Sequence, residues 1–128
     1  MNTPAQPKSE FGQALEPRPL PHERLDAFTV AIELVEQVKS LGTLRGTAGA
    51  LDQLRRASTS VAVNIGEACG KSGADRRRYF AIARGSALEC AAALRVLLAL
   101  ELVKRQRYTE ARALCERLYA MLTRLSRS

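Results

Sequence analysis

Histidine is almost missing from this chain: one of its 128 residues is His, at position 22, within a proline-rich stretch. A di-iron or di-manganese helical bundle needs Glu-x-x-His pairs on facing helices, so that class is excluded. Haem held through His, and Ser/His/Asp or Cys/His nucleophilic centres, fall with it. Tryptophan is absent, and the other aromatics are three Tyr and three Phe. Base stacking would therefore be a minor mode of any nucleic-acid contact. Cys69, Cys90 and Cys115 are odd in number and lack the short paired spacings of a zinc site or a disulfide framework. They read as small core residues in a reducing compartment. No apolar run approaches the ~20 residues of a membrane span, and the N-terminus lacks the basic-then-apolar pattern of a signal peptide. The expected location is cytoplasmic, with no membrane partner and no metal or other cofactor.

Proline is missing from everything after Pro21: Pro4, Pro7, Pro17, Pro19 and Pro21 are all five. Residues 1–22 are expected to form a disordered or loosely extended tail, because closely spaced prolines fix an extended backbone and little there can bury surface. The alternative is an arm docking on a neighbouring subunit through Phe11, Leu15 and Leu20. Residues 23–128 are then a single domain, too short for two ordinary ones.

Apolar positions three and four apart predict four helices. The first runs from about Arg24 to Ser40, with Leu25, Phe28, Ile32, Val35 and Val38 as its buried face. Gly42 stops it, and residues 41–49 form a glycine-rich link. The second covers about Ala50 to Cys69, with a seam of Leu51, Leu54, Ser58, Val61, Ile65 and Ala68. Gly70 to Gly73 breaks it, and Ser72 three residues before Asp75 gives a capping-box-like start to the third. That helix is expected to reach about Val103, with Tyr79, Phe80, Ala83, Ala87, Ala91, Leu94 and Leu98 inward. After a basic turn from Arg105 to Tyr108, Thr109 and Glu110 open the fourth, whose stripe is Leu114, Leu118, Met121, Leu122 and Leu125. No strand pattern competes. The fold class is all-α, an antiparallel up-down four-helix bundle.

Beside the apolar seam of the second helix runs a polar stripe, Arg56, Ser60, Asn64, Glu67 and Lys71. The bland reading is a solvated face. The sharper one is a half-buried structural network of Arg56, Ser60, Asn64 and Glu67 with Ser86 and Glu89 of the third helix, since buried polar groups persist when paired. The pattern Arg56-x-Ser58-x-Ser60-Val61-x-x-Asn64-Ile65-x-Glu67, followed by Phe80-x-x-Ala83 and Gly85-Ser86-x-x-Glu89, resembles the four-helix-bundle proteins encoded in 23S ribosomal RNA intervening sequences. Accessory variability proteins of diversity-generating retroelements are similar in fold. The chain departs from that pattern at Gly66-Glu67-Ala68, where the family often reads Ala-Glu-Gly. The resemblance implies assembly into homopentamers and, for some relatives, association with a reverse transcriptase and nucleic acid.

Acidic charge is scarce in one half. Twenty Lys and Arg face thirteen Asp and Glu, for a net charge of +7. Residues 23–69 carry a net −1 and residues 70–128 a net +8. Arginine grips phosphate with a planar fork, so Arg76, Arg77, Arg78, Arg84, Arg105 and Arg107 are the phosphate-contacting candidates. The competing reading is ordinary solvating side chains. Gly70-Lys71-Ser72 ends like a phosphate loop but lacks the upstream glycine and the preceding strand. Glu67 and Glu89, one carboxylate per helix beside Arg and Ser, make a poor acid/base pair. The expected function is a non-enzymatic, oligomeric accessory protein that binds RNA or DNA. The alternative is a scaffold for an acidic protein partner.

Overall fold

The computed structural model describes residues 18–41 and 48–128. A 3-10 turn, Pro21–Arg24, leads into α1 (Asp26–Ser40), α2 (Ala48–Cys69), α3 (Gly73–Ala99) and α4 (Arg105–Leu125). The helices close a ring of neighbours: α1 packs on α2 and α4, and α3 packs on the same two from the opposite side. Side-chain bridges fix the directions. Gln53 and Ser60 of α2 meet Glu89 and Ser86 of α3 in reverse order. Arg84, in the first half of α3, reaches Ser126 just past the end of α4, and Arg107 near the start of α4 reaches Ser40 at the end of α1. The chain is an all-α, antiparallel up-down four-helix bundle.

The core forms where apolar periodicity is least ambiguous. All six seam residues of α2 are buried, Ser58 among them, its hydroxyl donating to the Arg55 carbonyl at 3.0 Å. Phe80, Ala83, Ala87 and Leu94 of α3, and Leu114, Leu118 and Leu122 of α4, are buried as their spacing predicts. Cys90 and Cys115 join them as small core residues, whereas Cys69 is half-buried.

α1 is turned from its expected orientation. Ala27, Val30, Ala31, Leu34 and Val38 are its buried residues. Leu25, Phe28 and Val35 are half-buried, and Ile32 keeps 38% of its surface exposed. The alanines let the backbone approach its neighbours closely, and the bulkier Phe28, Ile32 and Val35 are left along the edge facing α2. α1 thus carries more apolar surface than the core consumes.

Three boundaries also differ. α3 ends at Ala99, short of Val103, because Glu101 adopts a left-handed conformation (φ 59°). Its N–H donates to Leu98 O at 3.0 Å and that of Leu102 to Leu97 O at 2.9 Å, the paired bonds of a Schellman stop. Arg105 to Tyr108 is the first turn of α4, with Lys104 as N-cap in place of Thr109. Ser72 does occupy the N-cap of α3, but its side chain makes no capping bond. Residues 1–17 of the expected tail, and the Gly42 stop with most of the link after it, lie outside the described residues. Within the tail's expected span, His22 stands edge-on to Phe28 with ring centroids 4.7 Å apart.

Candidate nucleic-acid interface

α3 is 27 residues long, about 40 Å at ~1.5 Å per residue, and it separates the six candidate arginines into two groups. Arg76, Arg77 and Arg78 lie on its first two turns, at the end of the bundle where α2 and α4 finish, and Arg84 lies on its fourth. Arg124 and Arg127 approach the same end. Arg105 and Arg107 lie on the first turn of α4, at the opposite end.

Within the first group the side chains are differently engaged. The Arg76 guanidinium lies over the Phe80 ring, 4.9 Å from its centroid. That of Arg78 lies 4.6 Å from the centroid of Tyr79, whose ring also receives the Lys71 ammonium at 5.7 Å. Stacking fixes an arginine's plane while leaving its N–H edge free to donate. Arg78 also stands 4.0 Å from Asp75, an exposed pair worth little. Arg77 is exposed and has no hydrogen bond, ion pair or ring contact among the described residues. Arg84 donates to Ser126 Oγ at 3.4 Å. In the second group, Arg107 donates to Ser40 Oγ, and Arg105 projects into solvent with no such contact among the described residues.

The polar stripe of α2 divides as well. Ser60 Oγ and Ser86 Oγ are 2.8 Å apart, and Asn64 Nδ2 donates to Ser60 O and Oγ at 2.9 and 3.0 Å. Arg56 and Glu89 are linked through Gln53, which donates to Glu89 Oε2 at 3.1 Å and accepts from Arg56 at 3.5 Å. The structure therefore places two short bridges between α2 and α3. Gln53 was missed in the sequence, although it precedes Arg56 and Ser60 on the same stripe at helical spacing. Glu67 is exposed and joins neither bridge.

Chemically the surface is poor in reactive groups. The Cys90 thiol is pushed up, first by its hydrogen bond with Cys115 and then by burial, while the same bond lowers Cys115, which is itself buried. Desolvation raises Cys69 against the opposing charge and hydrogen bond of Arg76. Neither Cys69 nor Cys90 is a ready thiolate at neutral pH. Among the described residues no cluster of His, Cys, Asp and Glu could hold a metal ion, and none of their helices is long and apolar enough to cross a membrane.

Residues 23–124 match the family described as 23S rRNA-intervening sequence protein. The chain belongs to this family. A solved structure of another protein, described as of unknown function from the S23 ribosomal protein family of Bacteroides thetaiotaomicron, has a similar fold. It superposes with a TM-score of 0.71 at 21% identity, over 80% of this chain and 96% of that one. No curated protein matches the chain. For this intervening-sequence family member, the match spans all four helices and both arginine groups.

Proposed function

We propose that this chain is a non-enzymatic, oligomeric accessory protein that binds RNA or DNA through the arginines at the two ends of its bundle. The supporting observation is the placement of charge: the net +8 of residues 70–128 falls largely on α3 and α4, with Arg77 and Arg105 exposed near the starts of these helices and in no ion pair among the described residues. Phosphates are the matching partner because arginine donors contact them whatever the base sequence. Assembly, a homopentamer by family resemblance, repeats each weak cluster and adds avidity. A reverse transcriptase or another protein of the same nucleic-acid complex is the corresponding protein partner.

The test is light scattering after size exclusion on nuclease-treated protein, followed by binding to random RNA and duplex DNA over a salt series. A closed oligomer whose binding weakens steeply with salt is the expected result. The second reading, a scaffold for an acidic protein with no nucleic-acid role, is favoured by apolar Leu88 and Tyr119 standing exposed among the arginines of α3 and α4, where phosphate binding has no use for them. An oligomer that binds neither nucleic acid at low salt would overturn the first reading, and one defined protein co-purifying after nuclease treatment would support the second.

A further inference from the structure

Two of the three cysteines face each other inside the bundle. Cys90 of α3 is 0% exposed and Cys115 of α4 is 3% exposed, and both thiols are free. The antiparallel register brings them level: Cys115 lines a groove between α3 and α4 together with Ala87 and Ala91, which bracket Cys90 in the chain. Their side chains are hydrogen-bonded to one another. Ala87 and Ala111, buried one turn from Cys90 and Cys115, leave the two backbones room for the close approach that a disulfide requires.

The pair is unequal. Cys115 forms part of the wall of that groove, which holds about 230 Å³ and is edged by exposed Leu88 and Tyr119, whereas Cys90 does not line it. The hydrogen bond from Cys90 lowers Cys115 against its burial, and the Arg112 charge lowers it further. Glu116, 3.4 Å from Arg112, offsets part of that charge, but both side chains are exposed and the hydrogen bond is the larger cause. The same bond, and then burial, raise Cys90. The thiolate thus forms on the sulfur beside the groove, and the proton stays on the one behind it.

We propose that Cys115 and Cys90 form a dithiol oxidation site that takes a small hydroperoxide and closes reversibly into a disulfide across α3 and α4. The Cys115 thiolate attacks an oxygen of the hydroperoxide. The S–O bond forms, the O–O bond breaks, and the departing oxygen takes up a proton and leaves as water or an alcohol. Cys90 then attacks the Cys115 sulfenic acid: the S–S bond forms, the S–O bond breaks, and the hydroxide that leaves combines with the Cys90 proton as water. Each sulfur gives up one electron, and the hydroperoxide receives both. A thiol or dithiol reductant restores the pair by exchange, so that in a reducing compartment the disulfide is transient. The site is independent of nucleic-acid binding and of assembly.

The test is stepwise treatment of the full chain with hydrogen peroxide, then alkylation of the remaining thiols and non-reducing peptide mapping by mass spectrometry. Exposure alone predicts that half-buried Cys69 reacts first; the dithiol site predicts the reverse. The expected product is a linked pair of peptides carrying Cys90 and Cys115, lighter by two hydrogens, formed before Cys69 is modified and lost on treatment with dithiothreitol. In Cys90→Ala the intermediate should accumulate as a Cys115 sulfenic acid that dimedone captures. Arg112→Gln should slow disulfide formation several-fold without changing the product. Circular dichroism checks that the variants and the oxidised chain remain helical. Modification of Cys69 while Cys90 and Cys115 stay reduced, or a Cys90–Cys115 link that forms only in denaturant, would overturn the site.

Discussion

The hydroxyl of Ser60 on α2 stands 2.8 Å from that of buried Ser86 on α3, and Asn64, one turn further along α2, donates to Ser60 at both oxygens. The pair holds two helices in register at a point where neither has a large side chain to do so. In a double-mutant cycle, Ser60→Ala and Ser86→Ala should show a coupling of about 0.5–1.5 kcal/mol, the range of one net hydrogen bond. Helix-propensity gains from alanine cancel in the cycle. Strictly additive denaturation midpoints would reduce the contact to coincidence.

Asn64 and Glu67 share a stripe in the sequence but not a role in the structure. Asn64→Ala removes two hydrogen bonds, which outweigh the roughly 0.5 kcal/mol by which alanine is the better helix former. Its melting temperature should fall by a few degrees. Glu67→Ala touches an exposed side chain outside both bridges and should change stability by less than about 0.5 kcal/mol. Equal losses from the two would place Glu67 in the network after all.

Glu101 provides the stop of α3 from a left-handed conformation, at φ 59°. A side chain there costs roughly 1–2 kcal/mol that glycine avoids. Glu101→Gly should therefore raise the melting temperature, despite glycine's greater freedom in the unfolded chain, and Glu101→Val should lower it. Thermal melts of the two variants in opposite directions are the expected outcome.

This turn also marks a limit of sequence reading. The break between α2 and α3 was legible because Gly70 and Gly73 announce it, whereas nothing in the residue type of Glu101 signals a left-handed backbone, so helical periodicity seemed to run on towards Val103. The buried seam of α2 and the leucine stripe of α4 were legible because large apolar residues there alternate with charge. On α1 that rule misleads: Phe28, Ile32 and Val35 are the heavier stripe, yet Ala27, Ala31 and Leu34 enter the core because close helix approach rewards small side chains. The arginine candidates were legible as residues, but their division between two ends depends on how α3 and α4 pair. Periodicity along one helix cannot supply that, nor the choice of Ser86 as the partner of Ser60.

The Cys90 thiol has its pKa pushed above the ordinary value of 9.0 in the folded chain, by its hydrogen bond with Cys115 and by burial. The folded state therefore holds a proton that the unfolded chain releases as pH rises through about 9. Stability from this group is complete below that pH and falls above it, by up to about 1.4 kcal/mol per pH unit for one proton. The same hydrogen bond lowers Cys115, so below about pH 9 the folded pair gives up a proton that the unfolded chain keeps, and stability rises with pH there. Denaturation midpoints should therefore decline only from about pH 9 to pH 10.5, and Cys90→Ala should flatten part of that decline despite lowering stability at pH 8. A slope identical in the variant would show that Cys90 ionises equally in both states.

Arg77 and Arg76 are adjacent, but binding and stability should separate them. Arg77 has no contact to lose among the described residues, and a negative charge near the start of α3 suits the helix dipole. Arg77→Glu should leave the melting temperature unchanged or slightly raised, while weakening binding to random duplex DNA and lowering the salt slope by about 0.9 for each phosphate contact removed. Arg76 lies over Phe80, so Arg76→Glu should lower the melting temperature as well as affinity. At the far end, Arg105→Glu should behave like Arg77→Glu, and Arg107→Glu should also release the bond to Ser40. If Arg77→Glu and Arg105→Glu both bind with the parent's affinity and salt slope, neither end of the bundle contacts phosphate.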